Sequence, residues 1–157
     1  MDFRIEKVTQ GDALWPLVCE HFPRSVKWLE DPEDHGDYHF FVAVDTDGSF
    51  LGGVVIDVGP IDYGPLNGRT EGFLEDIEVE EPYRRRGIGT ALMHRVLDFA
   101  WQLGARHVRW TISCTNPVGV AFYDSLGVAL LPDKDELNPD DEYYLAVATN
   151  PQAKPTT

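Results

Sequence analysis

The sequence predicts an α/β fold, and three observations carry the prediction. Short apolar runs with alternating side chains recur along 157 residues, separated by turn-forming clusters. From Ile88 onward the apolar positions 92, 96, 99, 100 and 103 follow helical spacing. Between these two kinds of segment stands a glycine-rich turn, Arg84-Arg85-Arg86-Gly87-Ile88-Gly89-Thr90.

The elements follow in order. Asp2 to Val8 predicts a strand. Thr9 or Asp12 can cap a helix that runs to about His21, with Leu14, Leu17 and Val18 as its apolar stripe. Val26 to Leu29 predicts the start of a second, short helix. The segment from Glu30 to Asp37 is an acidic loop, and Phe40 to Val44 a strand. Asp45-Thr46-Asp47-Gly48 marks a hairpin turn into a strand over Phe50 to Val58. Gly59 to Gly72 holds four glycines and two prolines and reads as a long loop. Phe73 to Val79 is the fourth strand. The helix from Ile88 stops near Gly104. Val108, Trp110 and Ile112 alternate as a strand. Asn116-Pro117 caps and opens a short helix that ends before Gly127. Val128 to Leu131 and Tyr143 to Val147 are the last strands, flanking an acidic loop over Asp133 to Glu142. The order is β-α-α-β-β-β-α-β-α-β-β. Residues 1–148 are expected to form a single domain and 149–157 a tail.

Composition narrows the function. Hydrophobic residues make up 43% of the chain, with 4 Trp, 6 Tyr and 8 Phe, enough for a packed core. Thirteen basic against 27 acidic residues give a formal net charge of -14, which argues against nucleic acid as a partner. No apolar span of membrane-crossing length and no signal segment is visible, so the expectation is a cytoplasmic protein without a membrane partner. Cys19 and Cys114 read as free thiols. The five histidines show no metal-ligand spacing, and no metal is expected. A homodimer is left open.

Against this acidic background the Arg84–Thr90 turn is basic. Gly87 and Gly89 let a ligand approach the backbone closely. Helix N-terminal N–H groups favour an anion, and the arginines add charge and forked donors. A P-loop would need a lysine after the glycines, and a dinucleotide fingerprint would need glycine where Leu92 stands. An ordinary loop-to-helix junction with solvated arginines would read the same way over this stretch alone.

The neighbouring segments carry a family resemblance. Arg84-x-x-Gly87-x-Gly89 resembles the acyl-CoA signature of the GNAT superfamily of N-acetyltransferases. Phe73-Leu74-Glu75-Asp76-Ile77-Glu78-Val79 is similar to that family's fourth strand. Asn116 to Gly127 (NPVGVAFYDSLG) resembles its second ligand-binding helix. The resemblance covers residues 73 to 147. It implies a mixed, mostly antiparallel sheet with helices on both faces. It also implies acetyl-CoA as co-substrate, with Arg84, Arg85, Arg86, Gly87, Ile88, Gly89 and Thr90 around the pyrophosphate. Ile77, Glu78 and Val79 would lie along the pantetheine arm where the fourth and fifth strands splay. Asn116 and Phe122 are further donor-side candidates, although Asn116 also reads as a plain helix cap.

Two residues stand out as catalytic candidates. Alternation places Phe73, Glu75, Ile77 and Val79 on one face, leaving Glu75 as its lone carboxylate. Burial would raise its pKa toward neutrality, as a general base requires. A Glu facing a watery loop, or one paired with an arginine, remains the alternative. Asp76, facing the other way, is the second candidate for base or substrate anchor. Tyr123 is offset by about 100° from Phe122, which packs inward with Leu126, and so can face a cleft. A phenol of pKa near 10 can protonate a departing thiolate whose thiol titrates near 8.5. A half-buried anchoring tyrosine is its bland counterpart.

The acceptor expected from these features is a small cationic amine. Acidic stretches at Glu30–Asp37, Glu75–Glu81 and Asp133–Glu142 would concentrate a cation, or are simply solvated loops. Leu74-Glu75-Asp76 resembles the diamine acetyltransferase branch, while Thr115-Asn116 departs from that branch's Trp-Asn pair. The alternatives are an acetyltransferase acting on protein N-termini or lysines, and a non-catalytic acyl-CoA-binding module.

Overall fold

The computed structural model describes residues 2–62, 64–134 and 142–152. Seven strands form one sheet in the order β1-β2-β3-β4-β5-β7-β6. They are β1 (Phe3–Val8), β2 (Tyr38–Asp45), β3 (Phe50–Pro60), β4 (Thr70–Val79), β5 (His107–Ser113), β6 (Ala129–Lys134) and β7 (Glu142–Thr149). Every neighbouring pair is antiparallel except β4 and β5. The helices are α1 (Trp15–His21), α2 (Pro23–Glu30), α3 (Ile88–Gln102) and α4 (Pro117–Ser125). The mixed sheet and the element order follow the sequence reading.

Two apolar clusters hold the sheet. On one face Leu51, Val54, Ile56 and Leu74 pack with Leu92, Met93 and Val96 of α3 and with Tyr123 of α4. On the other, Val42, Val44 and Val55 pack with Val18, Phe22 and Val26 at α1 and α2. Such burial, at roughly 25 cal/mol per Å² of apolar surface, is what fixes helices as short as α1 and α2.

Several boundaries differ from the sequence reading, each for a physical reason. Neither Thr9 nor Asp12 caps α1. Its N-cap is Leu14, with no side-chain bond, while the Asp12 carboxylate accepts from the Thr9 N–H and hydroxyl in the preceding turn. Helix α2 begins at Pro23, where proline's fixed φ suits a first turn. The long loop contracts to residues 61–69, because β3 runs to Pro60 and β4 begins at Thr70. Gly72 therefore lies inside β4. A Cβ there would sit 2.9 Å from Val108 Cγ2, so this glycine permits the close β4–β5 approach. Of the second acidic stretch, residues 135–141 lie outside the described residues. Among the described residues no helix is long and apolar enough to cross a membrane.

Candidate active site

Strands β4 and β5 pair only at Gly72↔Val108 and Phe73↔Arg109. Beyond that rung β4 stays on β3, and β5 stays on β7 through Ser113. The two strands thus part like a V, leaving one edge of each open. The Glu80 N–H bonds Leu51 O on β3, so by strand alternation Val79 and Ile77 turn their polar groups to the open edge. Glu78, the middle member of the predicted trio, turns its backbone toward β3.

At the wide end of the V sits the basic turn. Arg84, Arg85, Arg86 and Gly87 are exposed. Arg85 has φ 64° and Gly87 φ 81°, and Gly87 is the N-cap of α3. Two left-handed residues this close together curl the backbone before the helix and leave its first N–H groups facing outward. Arg84 Nε donates to Val79 O at 3.0 Å, tying the turn back to the strand end. The Ile88 side chain is buried in the core, so only its backbone can meet a ligand. Gly89 faces α4: a Cβ there would stand 3.2 Å from Phe122 Cζ. Phe122 therefore closes the cradle from the α4 side. Asn116 caps α4 by accepting from Gly119 N at 3.1 Å. Its side-chain oxygen is thus committed to the helix, and its amide NH₂ is the part left for a ligand.

The carboxylates are arranged differently from the sequence reading. The β3–β4 register slips between Val55↔Asp76 and Ile56↔Leu74, so Glu75 is the extra residue of a β-bulge. The bulge breaks the alternation. Ile77 and Val79 pack toward the α3 cluster together with Leu74. Asp76 lies opposite Val55, on the α1–α2 face, and Glu78 reaches His21 on that face. Glu75 feels the charges of Asp57 and Asp34, which belong to the same side. The expectation that Glu75 shares a face with Ile77 and Val79, with Asp76 opposed, is thereby corrected: one bulge puts both carboxylates on one side.

Electrostatics distinguish the two. Burial, then the negative charges of Asp57 and Asp34, push the Glu75 carboxyl up to about 7, with Arg109 pulling against them. Asp76 is also raised by desolvation, but the Ile77 backbone N–H and the charge of Arg24 oppose this. Asp57 is raised by burial as well, and it accepts from the Asp37 N–H at 2.8 Å. Asp34 accepts the Tyr38 hydroxyl at 2.8 Å. Arg109 binds Glu71 at 3.1 Å and lies 5.0 Å above the Phe73 ring. Sequence reasoning missed Asp57 and Arg109. Asp57 had a usable signal, a lone acid in the apolar strand Val54-Val55-Ile56-Asp57-Val58.

Tyr123 is the buried residue of α4, at 6% exposure, while Phe122 and Leu126 are only partly covered. Phe122 and Leu126 do pack against the core, as their spacing implies, and Tyr123 is buried more deeply than either. Its ring meets Trp110 edge-on at 5.1 Å between centroids. Burial, then the charge of Asp76, push the phenol up to about 12, the Trp110 indole pulling the other way. It therefore keeps its proton at any working pH.

The fold also makes groupings that no local spacing shows. His21, Glu78 and Glu80 place ligand-type atoms within 4.8 Å of one another, with His21 Nδ1 3.0 Å from Glu78 Oε1. The two cysteines are free. A cavity of about 480 Å³ lined by Arg69, Thr70, Arg106 and Asn150 lies at the other end of β4 and touches none of the predicted residues.

A splayed parallel pair, a phosphate-type turn and an α4 tyrosine together define an acyltransferase-type fold. The model of the acetyltransferase (GNAT) family matches residues 10–128, and the chain belongs to that family. It is 33% identical over 96 residues to a streptothricin acetyltransferase of Streptomyces lavendulae, covering 61% of this chain and 47% of that protein. It is 34% identical over 61 residues to an L-ornithine N5-acetyltransferase of Arabidopsis thaliana, covering 39% of this chain and 27% of that one. In both cases the match spans less than half of the relative's length. Among solved structures, Arabidopsis thaliana NAA60 in complex with a bisubstrate analogue superposes with a TM-score of 0.69. That match covers 97% of this chain and all of the other at 18% identity, a likeness of fold.

Proposed function

We propose that this chain transfers an acetyl group from acetyl-CoA to the primary amine of a small cationic acceptor by direct attack. One observation carries the reading: the V between β4 and β5 opens with the basic turn at its end and Glu75 at its side. The open backbone edge at Ile77 and Val79 suits an extended amide-bearing arm. The N–H groups from Arg86 to Thr90, with the three arginines, suit its pyrophosphate.

An alkyl ammonium of pKa near 10 must lose a proton before it attacks. Glu75, held near neutrality, accepts that proton, directly or through water. The amine nitrogen bonds to the thioester carbon, and N–H donors near Val79 hold the developing oxyanion. The carbon–sulfur bond then breaks, and Tyr123 gives its proton to the sulfur. The carboxylates Asp34, Asp57 and Asp76 favour an acceptor carrying a second positive charge. The named substrates of the two curated relatives, streptothricin and ornithine, support a small-molecule acceptor.

The test is thiol release from acetyl-CoA across diamines, basic amino acids, neutral monoamines and peptides with free N-termini. Turnover on dicationic amines above all others is expected. Turnover confined to peptides would replace the acceptor, and tight CoA binding without turnover on any of them would replace the enzyme with a binding module.

A further inference from the structure

We propose that Trp110 is a positioning residue for Tyr123: its indole N–H holds the phenol oxygen and so directs the phenolic hydrogen into the V between β4 and β5. This rests on the reading of Tyr123 as the proton donor to the leaving sulfur. Trp110 is the first β5 residue beyond the last β4–β5 rung, Phe73↔Arg109, so it stands at the apex of the opening. It is 3% exposed, and its Nε1 has no hydrogen-bond partner of good geometry. A buried N–H without a partner is rare in folded proteins and demands an explanation. The Tyr123 ring lies edge-on against this indole, and a hydroxyl oxygen can accept while its own hydrogen points elsewhere. The indole also lowers the phenol's pKa as a hydrogen-bond donor, against the upward push of burial and Asp76.

The consequence is chemical. A phenol pushed up to about 12 is a reluctant acid toward a thiolate whose thiol titrates near 8.5. A fixed N–H aimed at its oxygen stabilises the phenolate left after transfer, in surroundings with little water. The other groups around the phenol do not help. Asp76 on β4 opposes phenolate formation, Asp124 of α4 is exposed, and the β5 neighbours on that face, Val108 and Ile112, are apolar.

The experiment measures kcat and both KM values for the wild type, Trp110→Phe, Tyr123→Phe and the double variant. Trp110→Phe keeps an aromatic ring and removes the donor. It should lower kcat roughly tenfold, the worth of a hydrogen bond to a charged oxygen, with KM for acetyl-CoA within about twofold. In the Tyr123→Phe background it should change nothing further. An unchanged kcat, or an equal loss in both backgrounds, overturns the positioning role while leaving the acid in place. Wild-type kcat in Tyr123→Phe removes the acid itself and the positioning role with it. Should Trp110→Phe fail to fold, the Trp110 indole ¹⁵N–¹H resonance of the otherwise native chain decides. It should move when Tyr123 becomes Phe, and an unmoved resonance overturns the contact.

Discussion

The two sides of the V are built in opposite ways. The side we propose for the donor is nearly continuous in sequence: β4 runs into the turn at Arg84–Thr90, and the turn runs into α3. Its working groups are largely backbone N–H groups, shaped by Gly87 at φ 81° and by Arg85 at φ 64°. The side we propose for the acceptor draws Asp34 from the α2–β2 loop, Asp57 from β3, and Glu75 and Asp76 from a bulge in β4. Its working groups are side chains, and their properties come from one another. A backbone-built site depends on local conformation. A side-chain-built site depends on the sheet register that brings its parts together.

That contrast yields graded predictions. The largest effect belongs to the acceptor side. Glu75→Gln should lower kcat/KM at pH 7 by roughly 10²–10³, the usual worth of a general base. The wild-type acidic limb should lie near the Glu75 value of about 7 and vanish in the variant, with activity partly recovered at higher pH. A limb that persists in Glu75→Gln would move the base elsewhere. The same group has a stability signature. Its proton leaves near 4.5 in the unfolded chain but only at about 7 in the folded one. Folding therefore loses stability as pH rises between those values. Glu75→Gln should then be more stable than wild type above pH 7, by on the order of 1 kcal/mol after solvent screening. The two should be equal below pH 4.5 in denaturant melts.

The donor side comes second. Gly89→Val would push side-chain carbons into Phe122, whose Cζ already lies 3.2 Å from a Cβ at that position. KM for acetyl-CoA should rise roughly tenfold, about 1.4 kcal/mol, with the acidic limb unmoved. A shifted limb would mean that the two sides are coupled. Asp57→Asn should act the other way round. Removing the foremost charge that raises Glu75 should shift the acidic limb to lower pH. KM for dicationic acceptors should rise several-fold, about 1 kcal/mol, with that of monoamines unaffected. A uniform loss would make Asp57 a structural acid. Asn116→Ala is the mildest. It removes the α4 cap and should lower stability by about 1 kcal/mol in thermal melts. A larger effect on KM for acetyl-CoA than on stability would give Asn116 a ligand contact besides its cap.

Some of this was readable before any coordinates, and the division follows the same contrast. Helix α3 and its glycine turn are local patterns and stand where periodicity puts them; of the apolar stripe Leu92, Val96 and Ala100 are buried, whereas Leu103 is the exposed C-cap. The Asn116 cap is local too. The face assignment in β4 failed because strict alternation ignores a bulge, and a bulge depends on how β3 pairs. Helical spacing gives the angular offset of Tyr123 from Phe122 but not how deeply it is covered. In the fold, Trp110 supplies the surface that buries it.

The sequence by itself determined the order of elements, the basic turn and the presence of carboxyl and phenol side chains on β4 and α4. Those features rest on near-neighbour physics: φ preferences, capping, and periods of two and 3.6 residues. Only the tertiary structure decided that Glu75 and Asp76 share a face and that Asp57 sets the charge around them. The same is true of the buried Trp110 indole set edge-on against Tyr123. Desolvation and charge coupling act between groups close in space, and the chain brings these groups together only when the sheet has closed.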